Sequence, residues 1–393
     1  MIKNVKAITT SSYLSMFFLG VASALIGAAA RNIGLSPYQI GLMIAVQNVG
    51  FAISVSLSGV LSDTYEKPKI LLIGSLLLAG SFLTFYLSQV FWVNLIIMLL
   101  IGAGIGTYEG VTDAMLLDLH TQRASLYINV NHFFVQLGSI IIALYLIFLE
   151  MNWRLSIVQA GIAVLVLAVF FTFIKLTTRD RKSESYRERF NVLIREKTVA
   201  ILFVAIIIAV GVEVGTTGIL TTFLAELRGF STLASKLGLI VFFSGMATGR
   251  VLIGFFTQKQ QQIPHYILAL FGLSTLLFTG LYLLDLGGFN YVVMYLTGMS
   301  ISALLPLMVT LAGLRYPEMS GTVMGAVKVA IPVGGILLPF LMSMTAQSAS
   351  LQISLLVFPA AFLVGFFLLL GTGQLQPSRA AAPTPTSTAT NGR

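Results

Sequence analysis

The chain has 393 residues, of which 57% are hydrophobic and only 9% are charged. Charged residues make up about a quarter of an ordinary soluble domain, so this composition excludes a single soluble domain and indicates a polytopic membrane protein. The net charge of +9 needs no nucleic acid partner, because an anionic membrane surface attracts basic loops equally well. The absence of cysteine excludes disulfides and thiolate metal sites.

Stretches of about 20 mostly apolar residues, the length that crosses a bilayer, recur from end to end. The pattern predicts an all-α membrane protein with twelve transmembrane helices, which we number spans 1 to 12. The first stretch follows Lys3 and Lys6 and is too long for a signal peptide, so we interpret it as a retained helix. The twelve spans are predicted at residues 9–30, 38–58, 70–87, 93–117, 125–147, 155–175, 199–223, 232–256, 265–285, 289–312, 321–343 and 352–371.

The basic residues are distributed unevenly over the two sides of the membrane. Four of them fall on the side opposite the N-terminus, and most of the others fall on the N-terminal side; the four are Arg31, Arg154, Arg228 and Lys236. The positive-inside rule therefore predicts that both termini are cytoplasmic. We expect the protein to lie in the cell membrane as a monomer.

A charged segment and a tail divide the chain into four predicted regions. Residues 1–175 form an N-terminal six-helix bundle, 176–198 a cytoplasmic connector, 199–371 a C-terminal six-helix bundle, and 372–393 a disordered tail rich in Ala, Pro, Thr and Ser. The two halves also match each other at a constant offset, since Ile96–Gly102 aligns with Val292–Gly298. Spans 4 and 5 are thus the counterparts of spans 10 and 11, which predicts two pseudo-symmetric bundles.

Span 4 contains two carboxylates, Glu109 and Asp113. A charge at the bilayer centre costs roughly 2.5–3.5 kcal/mol on insertion scales, so such residues usually face a bundle interior and have a function. Residues four apart share a helix face, and two acids close together in a poorly solvated cavity favour protonation of one of them. The alternative is that both acids pair with basic residues and hold the bundle closed.

Other polar residues lie at similar depths in the predicted spans. Lys328 in span 11 lies about as far from the cytoplasmic side as the acids do, and His132 in span 5 is its counterpart in the repeat. Asn131 and Gln136 in span 5 offer hydrogen bonds to a polar solute. Glu213 in span 7 is near mid-span, where it either lines the cavity or pairs with a cation. We expect Arg250, near the end of span 8, to extend its side chain towards the interface.

The segment GVLSDTYEKPKIL, between spans 2 and 3, resembles the signature loop of the major facilitator superfamily of secondary transporters. Gly59, Asp63 and Lys67 stand in the family pattern, whereas Thr64 and Glu66 depart from it. The resemblance implies that this loop makes charge contacts that favour one conformation, so we predict a gating role for Gly59, Asp63 and Lys67. It also implies that spans 4, 5, 10 and 11 converge on the cytoplasmic side, which would bring the two acids, His132 and Lys328 together.

Within this superfamily, the motifs GAGIGTYEGVTDAML, GMSISALLPLMVTL and GGILLP are similar to those of the fucose, glucose and galactose type of proton-coupled sugar symporters. This similarity implies that Glu109 contributes to the sugar and proton site. It also shows two departures, because the position of Asp113 usually holds asparagine and span 1 lacks the aspartate found in that family.

We therefore predict a secondary active transporter that moves a small polar solute, a sugar or related metabolite, by alternating access coupled to protons. The alternatives are a proton-coupled drug or metabolite exporter, and a non-transporting sensor or lipid scramblase with the same fold. Enzymatic and ATP-binding motifs are absent from the sequence, so we expect no enzyme activity, cofactor or metal. The predicted proton and substrate residues are Glu109, Asp113, Lys328, His132, Asn131, Gln136 and Glu213.

Overall fold

The computed structural model describes residues 4–35, 37–148, 152–174, 176, 195–257 and 259–371. Within these ranges the chain is helical and contains no strand. Spans 1 to 9 are single helices, and spans 10, 11 and 12 are each made of two. The helices are Val5–Ile33, Pro37–Thr64, Lys67–Thr84, Phe91–Leu119, Ala124–Phe148, Trp153–Phe173, Lys197–Arg228, Thr232–Phe256, Ile263–Leu283, Asn290–Ser302, Leu304–Arg315, Ser320–Lys328, Ala330–Ser348, Leu351–Leu355 and Val357–Gly371.

Twelve stretches of the described chain are long and apolar enough to cross a membrane, which confirms the predicted number of spans. The prediction placed the end of span 2 too early. The helix continues to Thr64, so Gly59 and Asp63 lie in its last turns, and Lys67 is the first residue of span 3. Nothing between Ser58 and Thr64 breaks a helix, and the buried polar groups of this segment bond to other protein groups.

Three spans are interrupted just before a proline. Span 10 breaks at Ala303, span 11 at Val329 and span 12 at Leu356, so that Pro306, Pro332 and Pro359 fall in the first turn of the helix that follows. A proline removes one helical hydrogen bond and its ring crowds the preceding turn, which explains a break at this position. Pro339 lies inside the continuous helix Ala330–Ser348, so a proline in these spans is not always accompanied by a break.

The two sets of six spans pack by the same pattern. In the first set span 1 packs on span 5, span 2 on span 4 and span 3 on span 6, and in the second set spans 7, 8 and 9 pack on spans 11, 10 and 12. Close packing recurs at equivalent positions, because a Cβ on Gly138 would lie 2.0 Å from the Phe17 carbonyl and one on Gly334 would lie 2.5 Å from the Ile207 carbonyl. The fold is therefore two pseudo-symmetric six-helix bundles.

The two bundles touch through the first helix of span 11 against spans 2 and 4, through span 5 against span 8, and through the second helix of span 10 against spans 4 and 5. These contacts involve the ends of even-numbered spans and the beginnings of odd-numbered ones, which all lie on the membrane side where span 1 begins. We call this the N-terminal side. The structure is thus closed there. The four region boundaries remain predictions, and the tail and most of the connector lie outside the described residues.

Candidate functional site

Asp113 lies at the centre of a buried polar cluster between the two bundles. Its Oδ1 accepts a hydrogen bond of 2.8 Å from Asn131 Nδ2. Its Oδ2 lies 2.8 Å from His132 Nε2 and 2.6 Å from Lys328 Nζ. Only 1% of the Asp113 side chain is exposed, so these three residues replace the water that would otherwise solvate the carboxylate.

Glu109, one helical turn away, is held less tightly. Its Oε1 lies 2.9 Å from Lys328 Nζ and 3.8 Å from His132 Nε2. This oxygen is buried and receives no hydrogen bond of good geometry from the described residues. The closer partner of Lys328 on this residue is the main-chain carbonyl of Glu109, which accepts a hydrogen bond from Nζ. The two acids of span 4 therefore differ, because both oxygens of Asp113 accept hydrogen bonds whereas Glu109 Oε1 has ion pairs without one.

Lys328, which contacts both acids, lies directly before the break in span 11. It is the last residue of the helix Ser320–Lys328, directly before Val329, and its side chain is fully buried. Burying a lysine ammonium is costly unless the charge is paired, and here Asp113 and Glu109 supply the paired charges. Since Lys328 comes from the C-terminal bundle and the acids from the N-terminal bundle, these ion pairs link the two halves.

Arg250 does not extend towards the interface as the sequence suggested. Its side chain is buried, with Nε donating to the Ser302 carbonyl at 3.1 Å and Nη1 donating to the His132 carbonyl. Its Nη2 lies 3.6 Å from Glu213 Oε1. The expectation was wrong because carbonyls of two neighbouring spans provide hydrogen-bond acceptors inside the bundle, so the guanidinium does not need the interface.

Glu213 and Gln136 form the part of the network nearest mid-membrane. Gln136 Nε2 donates a 3.2 Å hydrogen bond to Glu213 Oε1 across the bundle interface. The Glu213 side chain is 19% exposed, whereas that of Arg250 is 3% exposed. The sequence predicted that Glu213 either lines the cavity or pairs with a cation. In the structure it pairs with a cation, Arg250. Glu213 is also more open to the surroundings than the acids of span 4.

The structure brings all seven predicted proton and substrate residues into one network and adds members that the sequence did not suggest. Asn131 Oδ1 accepts from the Ser12 hydroxyl, and Asn131 Nδ2 also donates to Thr112 Oγ1. These serine and threonine residues, with Arg250, were missed because hydroxyls are common in membrane helices and Arg250 lies close to a predicted span end. For Thr112, the signal available in the sequence was its position directly before Asp113.

The spacing of three side chains in this cluster resembles that of a metal site, but a lysine holds the position of the cation. One ligand atom each from Glu109, Asp113 and His132 lie within 4.8 Å of one another, a spacing that suits a metal ion. The Lys328 ammonium contacts both carboxylates, so it takes the place of that cation as a tethered charge. A metal ion would have to displace it.

Two of the predicted gating residues, Gly59 and Asp63, lie where the bundles meet on the N-terminal side, whereas Lys67 makes its ion pair within the N-terminal bundle. Asp63 Oδ1 accepts from the Gly321 amide at 2.9 Å, and Oδ2 accepts from the amide and hydroxyl of Thr322, each at 2.7 Å. A carboxylate at a helix N-terminus satisfies free amides and interacts favourably with the helix dipole. A Cβ on Gly59 would lie 2.6 Å from the Gly321 carbonyl, so only glycine permits this approach. Lys67 pairs with Asp118 at 2.8 Å.

A histidine just after span 4, His120, connects three parts of the N-terminal bundle on the N-terminal side. His120 Nε2 lies 2.8 Å from Thr9 Oγ1, and its ring stacks on Tyr127 with centroids 3.5 Å apart. Burial lowers the pKa of His120 from its ordinary value, because the charged imidazolium loses solvation there. His120 thereby ties the beginning of span 1 to the loop after span 4 in its neutral form.

Solved structures of membrane transporters share this fold. The fucose:proton symporter of E. coli superposes with a TM-score of 0.77 at 16% identity, covering 94% of this chain and 99% of that one. The human organic anion transporter MFSD10 gives 0.76 at 16% identity, with 94% and 100% covered. The proton:xylose symporter XylE gives 0.73 at 14% identity, with 94% and 95% covered. At these identities the likeness shows the fold alone.

Sequence comparison places the chain in a family. The "Putative metabolite transport protein" of Haemophilus influenzae is 24% identical over 271 residues, which cover 64% of this chain and 66% of that protein, just under two thirds of its length. The family description of the Major Facilitator Superfamily matches residues 8–339, which is most of the chain and includes every residue of the buried network. The chain therefore belongs to the Major Facilitator Superfamily.

Proposed function

We propose that this protein is a secondary active transporter that moves a small polar solute, a sugar or related metabolite, with protons as the coupling ion. The observation that carries the proposal is the buried charge network between the two bundles. It contains three acids, Glu109, Asp113 and Glu213, but only two permanent cations, Lys328 and Arg250. With His132 neutral, one negative charge is unbalanced, and an unbalanced charge at this depth is costly. Uptake of one proton by the network removes that imbalance.

Glu109 and His132 are the residues that we assign to receive this proton. Asp113 is held as a carboxylate by three donors, whereas Glu109 Oε1 has an ion pair without a hydrogen bond. Both oxygens of Asp113 are already occupied by hydrogen-bond donors, whereas Glu109 Oε1 receives no hydrogen bond from the described residues, so we assign the proton to Glu109. His132 Nε2 contacts both acids, and this position lets it pass a proton between them.

Protonation is linked to movement because the ion pairs of Lys328 join the two bundles. A proton on Glu109 removes one of the two carboxylates that hold the ammonium, which weakens the closure on the N-terminal side. Glu213 and Gln136 lie nearest mid-membrane, and we assign them to solute contact. Solute bound there and the proton then act on the same interface, as coupled transport requires.

The test is transport in proteoliposomes. Labelled hexoses, nucleosides, organic acids and cations are screened by counterflow, which finds the solute without requiring a gradient, and uptake is then driven by an imposed pH gradient. Glu109→Gln is expected to abolish accumulation driven by the pH gradient while keeping counterflow. Glu226→Gln is the matched control, because Glu226 is an exposed acid near the end of span 7, on the side of the membrane opposite the N-terminal side. Unchanged pH-driven accumulation in Glu109→Gln would refute the proton assignment.

The direction of proton movement separates the two kinds of coupled transport. Solute-dependent acidification of the compartment that accumulates solute indicates symport, and alkalinisation indicates an exporter that works by antiport. Absence of flux for every solute class tested, with a correctly folded and oriented protein, would favour the sensor or scramblase interpretation and overturn the proposal.

A further inference from the structure

A groove on the outer surface of the N-terminal bundle lies apart from the charge network. It has a volume of about 680 Å³ and runs between spans 1 and 6. Its lining is apolar, and the two serine and threonine hydroxyls in it already donate to main-chain carbonyls of their own helix. The lining residues are Ala7, Thr10, Ser11, Leu14, Phe18, Ala163, Val166, Leu167 and Phe170.

The groove has the length of one leaflet. On span 1 its lining runs from Ala7 to Phe18, and the eleven steps between these residues rise about 16 Å at 1.5 Å per residue. This is about half of the ~30 Å hydrocarbon core of a bilayer. Since span 1 starts on the N-terminal side and span 6 ends there, the groove begins at the membrane surface on that side and stops near mid-membrane. A single acyl chain of the adjacent leaflet has this extent and this chemistry.

A positive charge lies at the surface end of the groove. Lys6 directly precedes Ala7, a lining residue, and is exposed. Lysine and arginine next to a bilayer surface attract anionic headgroups, by about 1 kcal/mol each. The apolar groove and this charge meet at the depth where the headgroup of a lipid joins its chains.

We propose that the groove between spans 1 and 6 binds one anionic glycerophospholipid of the leaflet on the N-terminal side. One acyl chain lies along Leu14, Val166 and Phe170, and the phosphate contacts Lys6. The exposure of Val166, 65%, leaves the chain open to the bilayer along its length, so lipid enters sideways and needs no opening of the bundles. This site is independent of solute and proton binding.

Native mass spectrometry of the purified full chain tests the proposal, with phosphatidylglycerol and phosphatidylcholine as probes. Wild type is expected to retain one phosphatidylglycerol after detergent washing, and Ala163→Phe, which fills the groove, is expected to retain none. Ala360→Phe is the matched control, because Ala360 is exposed at a similar depth in span 12. Lys6→Gln should weaken phosphatidylglycerol binding about fivefold and leave phosphatidylcholine binding unchanged.

Two results would overturn the proposal. Equal retention by Ala163→Phe and Ala360→Phe would show that the groove holds no lipid. Equal retention of phosphatidylcholine and phosphatidylglycerol by wild type would show that Lys6 does not select an anionic headgroup. If Ala163→Phe does not fold, Val166→Phe blocks the same groove from the more exposed side and is judged by the same criteria.

Discussion

Replacing Lys328 with methionine removes the ammonium that contacts both acids of span 4. The Lys328 Nζ lies 2.6 Å from Asp113 and 2.9 Å from Glu109. At these distances the Coulomb attraction to each carboxylate is roughly 6 kcal/mol at an effective dielectric constant of 20. Burying the three ions offsets most of this gain. The variant keeps the cost of the buried acids without their cation, so we expect it to lose about 3–5 kcal/mol of stability, the usual effect of breaking a buried ion pair.

The assay is thermal unfolding in detergent across a range of pH. At pH 8 the Lys328→Met variant should melt well below wild type, and lowering the pH should restore part of the loss because protonation removes the unpaired negative charges. Lys328→Met combined with Asp113→Asn carries one buried acid fewer, so it should be more stable than the single variant at pH 8. Lys69→Met, at a lysine whose side chain is 71% exposed, is the control for loss of a positive charge.

A melting temperature for Lys328→Met equal to wild type at pH 8, with no dependence on Asp113, would refute the argument. It would mean that the acids do not carry charge in the wild-type fold, and the proton-coupling proposal would lose its basis.

Three further perturbations address the closed interface and the network. Gly321→Ala would place a Cβ 2.0 Å from the Ser62 hydroxyl oxygen, so we expect it to disfavour closure and to raise the labelling of cysteines introduced on the N-terminal side, where the natural chain has none. Arg250→Gln removes the ion pair with Glu213, and we expect at least a tenfold loss of pH-driven uptake in the transport assay. Burial lowers the pKa of His120 from its ordinary value of 6.5, so the stabilising contribution of the neutral form is fully present above pH 6.5. The melting temperature should fall as the pH drops from 6.5 towards the pKa of the folded protein. His120→Phe should make this fall smaller in pH-dependent melting.

Each of these has its own control. Gly80→Ala adds a methyl group at a glycine with open space around it and should not change labelling. Arg250→Lys keeps the charge but lacks the planar guanidinium whose separate nitrogens donate to the two carbonyls, so activity between wild type and Arg250→Gln is expected. His265→Gln, at an exposed histidine outside this surface, should leave the pH profile of melting unchanged. A result in which a variant and its control behave alike would contradict the corresponding prediction.

The number of spans was predictable because bilayer thickness fixes helix length. The repeat predicted that spans 4 and 5 correspond to spans 10 and 11, but it did not predict which spans pack against each other. The depth agreement of Asp113, His132 and Lys328 likewise followed from counting residues along helices. The end of span 2 was not predictable, because Asp63 has the composition of a loop residue and its hydrogen-bond partners lie in a helix more than 250 residues away.

Arg250 illustrates a second limit. Its position near the end of a span is compatible with both an outward and an inward side chain. The choice depends on carbonyls supplied by His132 and Ser302, which belong to two other spans. Sequence periodicity gives the depth of such a residue, whereas its direction depends on how the helices are packed.

The break at Val329 divides span 11 into two helices that contact different parts of the protein. The short helix before it is fixed at one end by Asp63 and at the other by the acids that hold Lys328, while the helix after it, Ala330–Ser348, packs against span 7 in its own bundle. Because the helix is interrupted at Val329, the contacts that join the first helix to the N-terminal bundle are separate from those that hold the second helix in its own bundle. The junction between the bundles on the N-terminal side is therefore built from a nine-residue helix rather than from the whole of span 11.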